Sequence, residues 1–260
     1  MKDYTLQILY SGSDGNAALL RASDTAILID AGRNAKTLTA ALRAAALDPA
    51  SLSAIFLTHE HRDHTAALDV FLKHYPLPVH TVSACGARLR ACGSGALLEN
   101  LVEHAPLFEV SIGNITLTSF PTSHDSAGSV GYRITIVSGE KTHTVGYATD
   151  LGTVTPAVES GLLGCEAVVI ESNHDTDMLR EGPYPYPLKQ RIASRFGHLS
   201  NADCAALCVK LAAHGTSRFL LAHLSETNNL PDLALSEVGA ALAGFPVTLN
   251  AADPTAITEL

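Results

Sequence analysis

Positions 59–64 of this 260-residue chain hold three histidines and an aspartate: His59, His61, Asp63 and His64, in the run THEHRDH that starts at Thr58. The run leaves a short apolar stretch, Ala54–Thr58 (AIFLT), whose composition predicts a buried strand. With 12 histidines in the whole chain, such a pattern has about one chance in a thousand of arising at random, a low false-positive rate for a motif. Neutral imidazole nitrogen and carboxylate oxygen together suit zinc, iron or manganese. In a loop, alternating residues can face one ion while Asp63 and His64 face a neighbour. The competing reading is a solvated polar loop ahead of a helix. A metal centre constrains the fold strongly, because distant parts of the chain must then deliver further ligands to the same point.

Charge sets a second limit. The formal net charge is −9, which argues against a broad basic surface for nucleic acid. Anion binding must come from metal ions and a few local cations. There is no Trp, with 7 Phe and 7 Tyr, so Ala, Leu, Val and Ile carry most of the packing. The five cysteines (Cys85, Cys92, Cys165, Cys204 and Cys208) are odd in number and form no Cys-x-x-Cys pair. Reduced thiols fit better than a disulfide framework. Cys204 and Cys208, four apart on an expected helix, read as two small buried residues. The N-terminal MKDYTLQILYSGSDGN alternates and meets a turn at once, as a strand does and a signal peptide does not. No apolar run reaches bilayer-spanning length. A soluble, cytoplasmic protein with no membrane partner is expected.

No repeat, low-complexity tract or linker divides the chain, so one domain over 1–260 is expected. Strands are predicted at Thr5–Tyr10, Asn16–Ala22, Ala26–Asp30, Ile115–Phe120, Ser129–Val137, Thr142–Thr149, Ala167–Glu171 and Ser217–Ala222. Leu38, Ala41, Leu42 and Ala45 have helical spacing over Ala35–Leu47, closed by Pro49. A helix from about His64 should turn Leu68, Phe71 and Leu72 inward. Ser200 and Asp203 form a capping box for another, which Gly215 ends. Strand-rich segments alternate with helices in both halves, and two sheets between helical layers is the simplest packing.

His-x-His-x-Asp-His after a strand resembles the metallo-β-lactamase superfamily, and further matches follow in the expected order. Asp30, in LIDAG (28–32), is similar to an aspartate behind the ligands that braces the metal loop. His124 precedes Tyr132 by eight residues and resembles the next ligand histidine of the superfamily's nucleases. Asp150 in YATDLG resembles the bridging carboxylate, and His223 in LAHLS the final ligand. Singly, each would read as a surface or core residue or a strand-end cap; they gain weight as a set. The resemblance implies an α/β fold, the αββα four-layer sandwich. It implies His59, His61 and His124 on a first ion, Asp63, His64 and His223 on a second, and Asp150 between them. Two dications leave a net positive site in an acidic protein.

SGSDGN, THEHRDH, the stretch from Glu171 to Asp175, YPLKQRI, GHLSN and LAHLSETNN together resemble the YycJ/WalJ-type branch, linked to exonuclease activity on DNA from 5′ to 3′. Asp150 and His223 are separated by 72 residues that read as core elements, so the inserted domain of the larger RNA-processing relatives is absent. The resemblance implies phosphodiester hydrolysis assisted by two divalent metal ions (zinc or manganese, with iron a third candidate). Asp63 would handle the nucleophile's proton. His198, supported by Glu171, would protonate the leaving oxygen; the plainer reading of His198 is a neighbour of the Ser200 cap. Lys189, Arg191 and Arg195, with Tyr184 and Tyr186, could meet phosphates and bases, or form a solvated helix face. Asn173, His174 and Asp175 could line the same mouth, though each singly reads better as part of a polar loop, and Ser13 and Asn16 could form a turn on its rim. Nucleic acid, DNA ahead of RNA, is the expected partner; no protein partner is implied, and self-association is left open. The alternative is a small-molecule metallohydrolase: a lactonase, thioesterase or cyclic phosphodiesterase. A di-iron redox enzyme is a further rival, disfavoured because such members carry Glu where this chain has His61.

Overall fold

A computed structural model describes residues 2–92 and 95–260. Its first sheet is built from β1 (Thr5–Tyr10), β2 (Ala17–Ala22), β3 (Thr25–Ile29), β4 (Ala54–Phe56), β5 (Val79–Val82) and β6 (Leu101–His104), in that spatial order. The second runs β7 (Glu109–Ile112), β8 (Ile115–Pro121), β9 (Val130–Ser138), β10 (Lys141–Ala148), β11 (Ala167–Glu171), β12 (Arg218–Ala222) and β13 (Thr248–Ala251). The last strand, β14 (Thr258–Glu259), returns to pair antiparallel with β1. β3 to β6 are mutually parallel, as are β10 to β13, while the remaining pairs are antiparallel.

The first half carries helices α1 (Ala35–Ala44), α2 (Arg62–Thr65), α3 (Leu68–His74), α4 (Ser83–Cys92) and α5 (Ala96–Asn100). The second carries α6 (Pro156–Leu162), α7 (Thr176–Glu181), α8 (Tyr186–Ile192), α9 (Asn201–Ala212) and α10 (Pro231–Ala241). Side-chain alternation in β11 and β12 shows the layering. Ala167, Val169, Leu220 and Ala222 face the core between the sheets. Val168, Ile170, Phe219 and Leu221 face outward and join buried residues of α6, α9 and α10. Each large apolar side chain so buried contributes about 1.5–3 kcal/mol relative to exposure. Leu38, Leu42, Leu68 and Phe71 from α1 and α3 join the cluster of the first sheet. The result is the expected four-layer αββα sandwich. The segment 151–222 consists of α6 to α9 and two strands within these layers, with no inserted domain. Among the described residues, no helix is long and apolar enough to cross a membrane.

Several expected boundaries shift, for identifiable reasons. α1 stops at Ala44, because Ala46 takes a left-handed φ of 57° before Leu47. The single helix expected from His64 is two. The Asp63 carbonyl accepts the Asn16 N–H at 2.8 Å and the His64 carbonyl accepts Ala31 N–H at 2.7 Å. Both carbonyls are thereby withdrawn from helical bonding, and the chain restarts at Leu68. The Ser200–Asp203 capping box forms as read, with Asp203 N–H donating to Ser200 Oγ at 3.1 Å and Ser200 Oγ–H donating to Asp203 Oδ2 at 2.8 Å. All five cysteines are free, and Cys204 and Cys208 are buried with sulfurs 3.9 Å apart.

Gly32 locks β3 to the histidine-rich loop. A Cβ there would lie 1.8 Å from the Asp63 carbonyl oxygen and 2.5 Å from Asn16 N. Its own N–H donates to the Asn16 carbonyl at 2.9 Å, and its carbonyl accepts the Tyr10 hydroxyl at 2.7 Å. Three loops thus meet backbone to backbone. We expect Gly32→Ala to destabilise the chain by about 3 kcal/mol or more, at or above the upper end of ordinary overpacking, measured by urea denaturation; a loss below about 1 kcal/mol would show that these loops are not tightly joined.

At the far side of the first sheet, four rings stack: Phe56 on His80 at 4.7 Å, His80 on His104 at 5.2 Å and His104 on Phe108 at 4.4 Å between centroids. Burial, with the His104 ring second, pushes the His80 imidazole down to about 4. The unfolded chain then takes up this proton first, near pH 6.5, so the stability His80 contributes is complete above that pH and falls away towards pH 4. His80→Phe should gain on the parent chain across that interval in pH-resolved urea titrations; a difference independent of pH would refute the assignment.

Candidate metal centre

Each candidate ligand leaves the end of a strand. Asp30 follows β3, the Thr58–His64 run follows β4, Asp150 follows β10, Glu171 ends β11 and His223 follows β12. These are parallel strands, whose carboxyl ends open onto one crevice at the edge of the sandwich. Three of the residues adopt a conformation that side-chain-bearing residues rarely take: φ is 60° at Asp30, 57° at Asp150 and 56° at His223. Asp and His tolerate this left-handed region better than most residues. Each such residue costs of order 1–3 kcal/mol and persists where its surroundings over-determine it.

The side chains converge. His59, His61 and His124 bring ligand atoms within 4.8 Å of one another, and so do Asp63, His64 and His223. Asp150 touches both groups, 3.3 Å from His64 Nε2, 3.8 Å from His124 Nε2 and 3.6 Å from His223 Nε2. His61 Nδ1 and His124 Nε2 stand 3.3 Å apart. His59, His64, Asp150 and His223 are all at most 2 % exposed.

What lies behind the imidazoles decides what they present. His64 Nδ1–H donates to Asp30 Oδ2 at 2.8 Å, His124 Nδ1–H to the Gly197 carbonyl at 3.0 Å and His223 Nδ1–H to Glu171 Oε1 at 2.8 Å. In each ring Nδ1–H is committed outward, so Nε2 is the atom turned towards the centre. This is the arrangement by which outer partners orient metal-binding histidines. The buried atoms His59 Nε2, Asp150 Oδ2 and His223 Nε2 have no hydrogen-bond partner among the described residues. Unsatisfied buried polar atoms are costly, and here they point into one cluster of imidazole and carboxylate. The donor set fits divalent metal.

Protein charges alone hold the carboxylates ionised. Burial would raise Asp63, but hydrogen bonds from His223 and His64 outweigh it and hold its carboxyl well below the usual range. Burial likewise opposes Asp150, and the surrounding histidines, His223 first, drive it well down. Burial would lower His223, but the Asp150 charge leads in raising it to about 10. In this environment a divalent cation can take the place of the imidazolium protons and neutralise the same carboxylates.

Glu171 lies at the second layer of the site and is fully buried. Its Oε1 accepts from both His198 Nδ1 and His223 Nδ1 at 2.8 Å, and its Oε2 accepts Leu151 N–H at 2.9 Å and Leu199 N–H at 3.0 Å. Burial opposes the charge, but His198 leads in overcoming it, and the carboxyl is held down at about 2. In return, the Glu171 charge outweighs burial and raises the His198 imidazole. The sequence reading paired Glu171 with His198 alone; the structure adds His223.

Of the other anticipated residues, some stand at the centre and some do not. Asn16 Nδ2 lies 3.1 Å from His64 Nε2 and 3.4 Å from Asp63 Oδ2. Ser11 Oγ accepts the His223 N–H at 2.8 Å. The SGSDGN turn was expected on the rim; its ends, Ser11 and Asn16, are instead buried supports, and Ser13 alone reaches the opening. Asn173 lines the mouth and its amide holds the His223 carbonyl at 2.9 Å. Arg191 lines the mouth, paired with Asp125. Lys189 and His174 do not share that mouth: they line a separate cavity across α8, where Lys189 Nζ donates to the Arg180 carbonyl at 2.7 Å. Arg195 lies over the Phe196 ring at 5.0 Å. The basic cluster is thus split by its own helix. Sequence reasoning missed Asp125, which only its place beside His124 could have signalled. It also missed the buried amides Asn201 and Asn229, whose side chains bond each other while the Asn229 amide holds the Ser172 and Asn173 carbonyls.

The comparisons with known proteins follow the same outline. A β-lactamase superfamily domain model matches residues 25–224. The chain is 34 % identical over 251 residues to exodeoxyribonuclease YycJ of Bacillus anthracis, covering 92 % of this chain and 90 % of that protein. It is 32 % identical to exodeoxyribonuclease WalJ of Streptococcus pneumoniae, covering 89 % and 85 %. Among solved structures, the metallo-β-lactamase fold protein YhfI from Bacillus subtilis superposes with a TM-score of 0.74 at 20 % identity over the whole of both chains. The short form of human tRNase Z superposes at 0.66 with 16 % identity, covering 98 % of each. The family model spans most of the chain and its curated relatives align nearly end to end, so this protein belongs to the metallo-β-lactamase superfamily.

Proposed function

We propose that the chain is a metal-dependent phosphodiesterase that degrades nucleic acid, DNA ahead of RNA, in the manner of an exodeoxyribonuclease. The observation that carries this reading is the Glu171–His198 pair set beside the histidine–aspartate cluster, at a mouth of about 230 Å³ that also holds Tyr184 and Arg191. The names of the two relatives support the same substrate.

In this reading His59, His61 and His124 would hold one divalent ion, zinc or manganese, and Asp63, His64 and His223 a second, with Asp150 available to both groups. When bound, such ions polarise a phosphate oxygen and lower the pKa of a water molecule. The chain's own groups do the rest. Asp63 would accept the proton of the attacking water. His198 keeps Nδ1–H on Glu171 and is 21 % exposed at its side chain, so its Nε2–H reaches the leaving oxygen. Its raised affinity for protons keeps it charged nearer neutral pH, as a general acid requires. Arg191 and Tyr184 steer the phosphate and base at the entrance.

The decisive experiment incubates the purified chain with end-labelled single- and double-stranded DNA and RNA, with zinc, manganese or chelator. Metal-dependent release of mononucleotides from DNA supports the reading. Cleavage of a lactone or thioester, with every oligonucleotide intact, replaces it with a small-molecule hydrolase. Asp63→Ala should abolish turnover. His198→Gln should lower kcat by about 10²–10⁴-fold while metal content by elemental analysis stays at the parent level; loss of metal with unchanged activity per bound ion refutes its role as acid. Asp30→Ala removes the brace behind His64, and metal affinity should fall about 10–100-fold in competition with a chromogenic chelator.

A further inference from the structure

α8 has a cavity on each side. Leu188, Arg191 and Ile192 face the mouth of the metal centre. Tyr186, Lys189 and Gln190, with Ala193 just beyond the helix, line a second cavity of about 270 Å³ closed by α7 and the loop after β11. That volume lies just below the usual range of drug-sized ligand sites, about 300–1,000 Å³, and suits a single ring system.

Three features of this cavity go together. Its walls are mainly apolar: Leu179, Ala193 and the Tyr186 ring, which is 71 % exposed at the rim. His174, only 3 % exposed, lines it, and its Nδ1 has no hydrogen-bond partner among the described residues. Burial holds this imidazole below the ordinary histidine value, so the ring is neutral and offers one donor and one acceptor. Lys189 brings positive charge to the edge, while Arg180 is paired with Asp177 and Glu181 on its own helix. A flat apolar body, a polar edge for the imidazole and an attached anion describe one ligand class.

We propose that this cavity binds a nucleobase together with its phosphate, taken from the substrate strand as it crosses α8 or from a free mononucleotide. The proposal rests on the nucleic-acid reading above. Tyr186 stacks on the base, His174 meets its polar edge and Lys189 holds the phosphate. A base lodged behind the helix fixes the strand at a second point, so that the scissile bond rests at the metal centre.

The test uses the metal-loaded chain and Ala193→Trp, which fills the cavity from an exposed position. KM is measured for a single-stranded DNA oligonucleotide and for bis(p-nitrophenyl) phosphate, and binding of dAMP by calorimetry. Ala193→Trp should raise KM for the oligonucleotide about tenfold, within the range for loss of one stacked base, and leave hydrolysis of the small diester unchanged. An abasic series in the parent chain should show the same rise at one position. Loss of dAMP binding with an unchanged oligonucleotide KM assigns the cavity to the free nucleotide. No change in either measurement overturns the proposal. If the parent chain cleaves neither the oligonucleotide nor the small diester, the nuclease reading fails, and dAMP binding still decides the cavity. His174→Phe, which leaves no partner stranded, supplies a second variant expected to fold and to weaken the same binding.

Discussion

The buried Asp30 carboxylate accepts three hydrogen bonds, all from the segment that leaves the neighbouring strand: the Thr58 N–H, the Thr58 hydroxyl and His64 Nδ1–H, each at 2.8 Å. A carboxylate with no exposure is expensive to bury unless its lone pairs are used. Here they fix both ends of the histidine-rich run, so the run cannot relax into solvent without stranding a charge. The proton of this pair belongs to His64, whose ring burial alone would neutralise but which the Asp30 charge holds protonated at Nδ1. Orientation of the remaining candidate ligands builds on that choice. Asn16 reaches His64 from the other side, and the Asn16 backbone is in turn bonded to Asp63 and Gly32.

The architecture makes such a site economical to assemble. Parallel strands all end at one edge, so short loops deliver residues far apart in sequence to one place. The left-handed turns at Asp30, Asp150 and His223 redirect each side chain from the sheet into the crevice. Most of the apolar mass lies elsewhere, between the sheets and beneath α6, α9 and α10. Local strain at the edge is therefore borne by a large, conventional core.

The candidate ligand positions were legible because their chemistry is rare and each follows an apolar strand. THEHRDH is visible in any composition-aware reading, and the spacing of Asp30, Asp150 and His223 behind LI, YA and LLA follows the strand rhythm. The alternating β1 and the continuously apolar β11 were also readable to the residue. Less legible was whatever depends on backbone meeting backbone. The break between α2 and α3 follows from carbonyls of Asp63 and His64 that bond other loops, which no periodicity reports. β5 and β6 are short, at four residues each, too few to show a period. The split of the basic segment by α8 was hidden for a similar reason: Lys189 and Arg191 are two apart in sequence and lie on opposite sides of one helix. The buried amides around Asn229 look like ordinary loop residues until their partners are seen.

Glu171 Oε1 receives two imidazoles at once, one from His198 and one from His223. The oxygen is therefore a hinge pin common to an entrance residue and a candidate ligand. Moving either ring alters the charge and position felt by the other, so exchanges among these three residues should be strongly non-additive, the behaviour of groups that act as a unit. An exchange at the entrance histidine is thus felt, through one shared oxygen, at the opposite wall of the cluster.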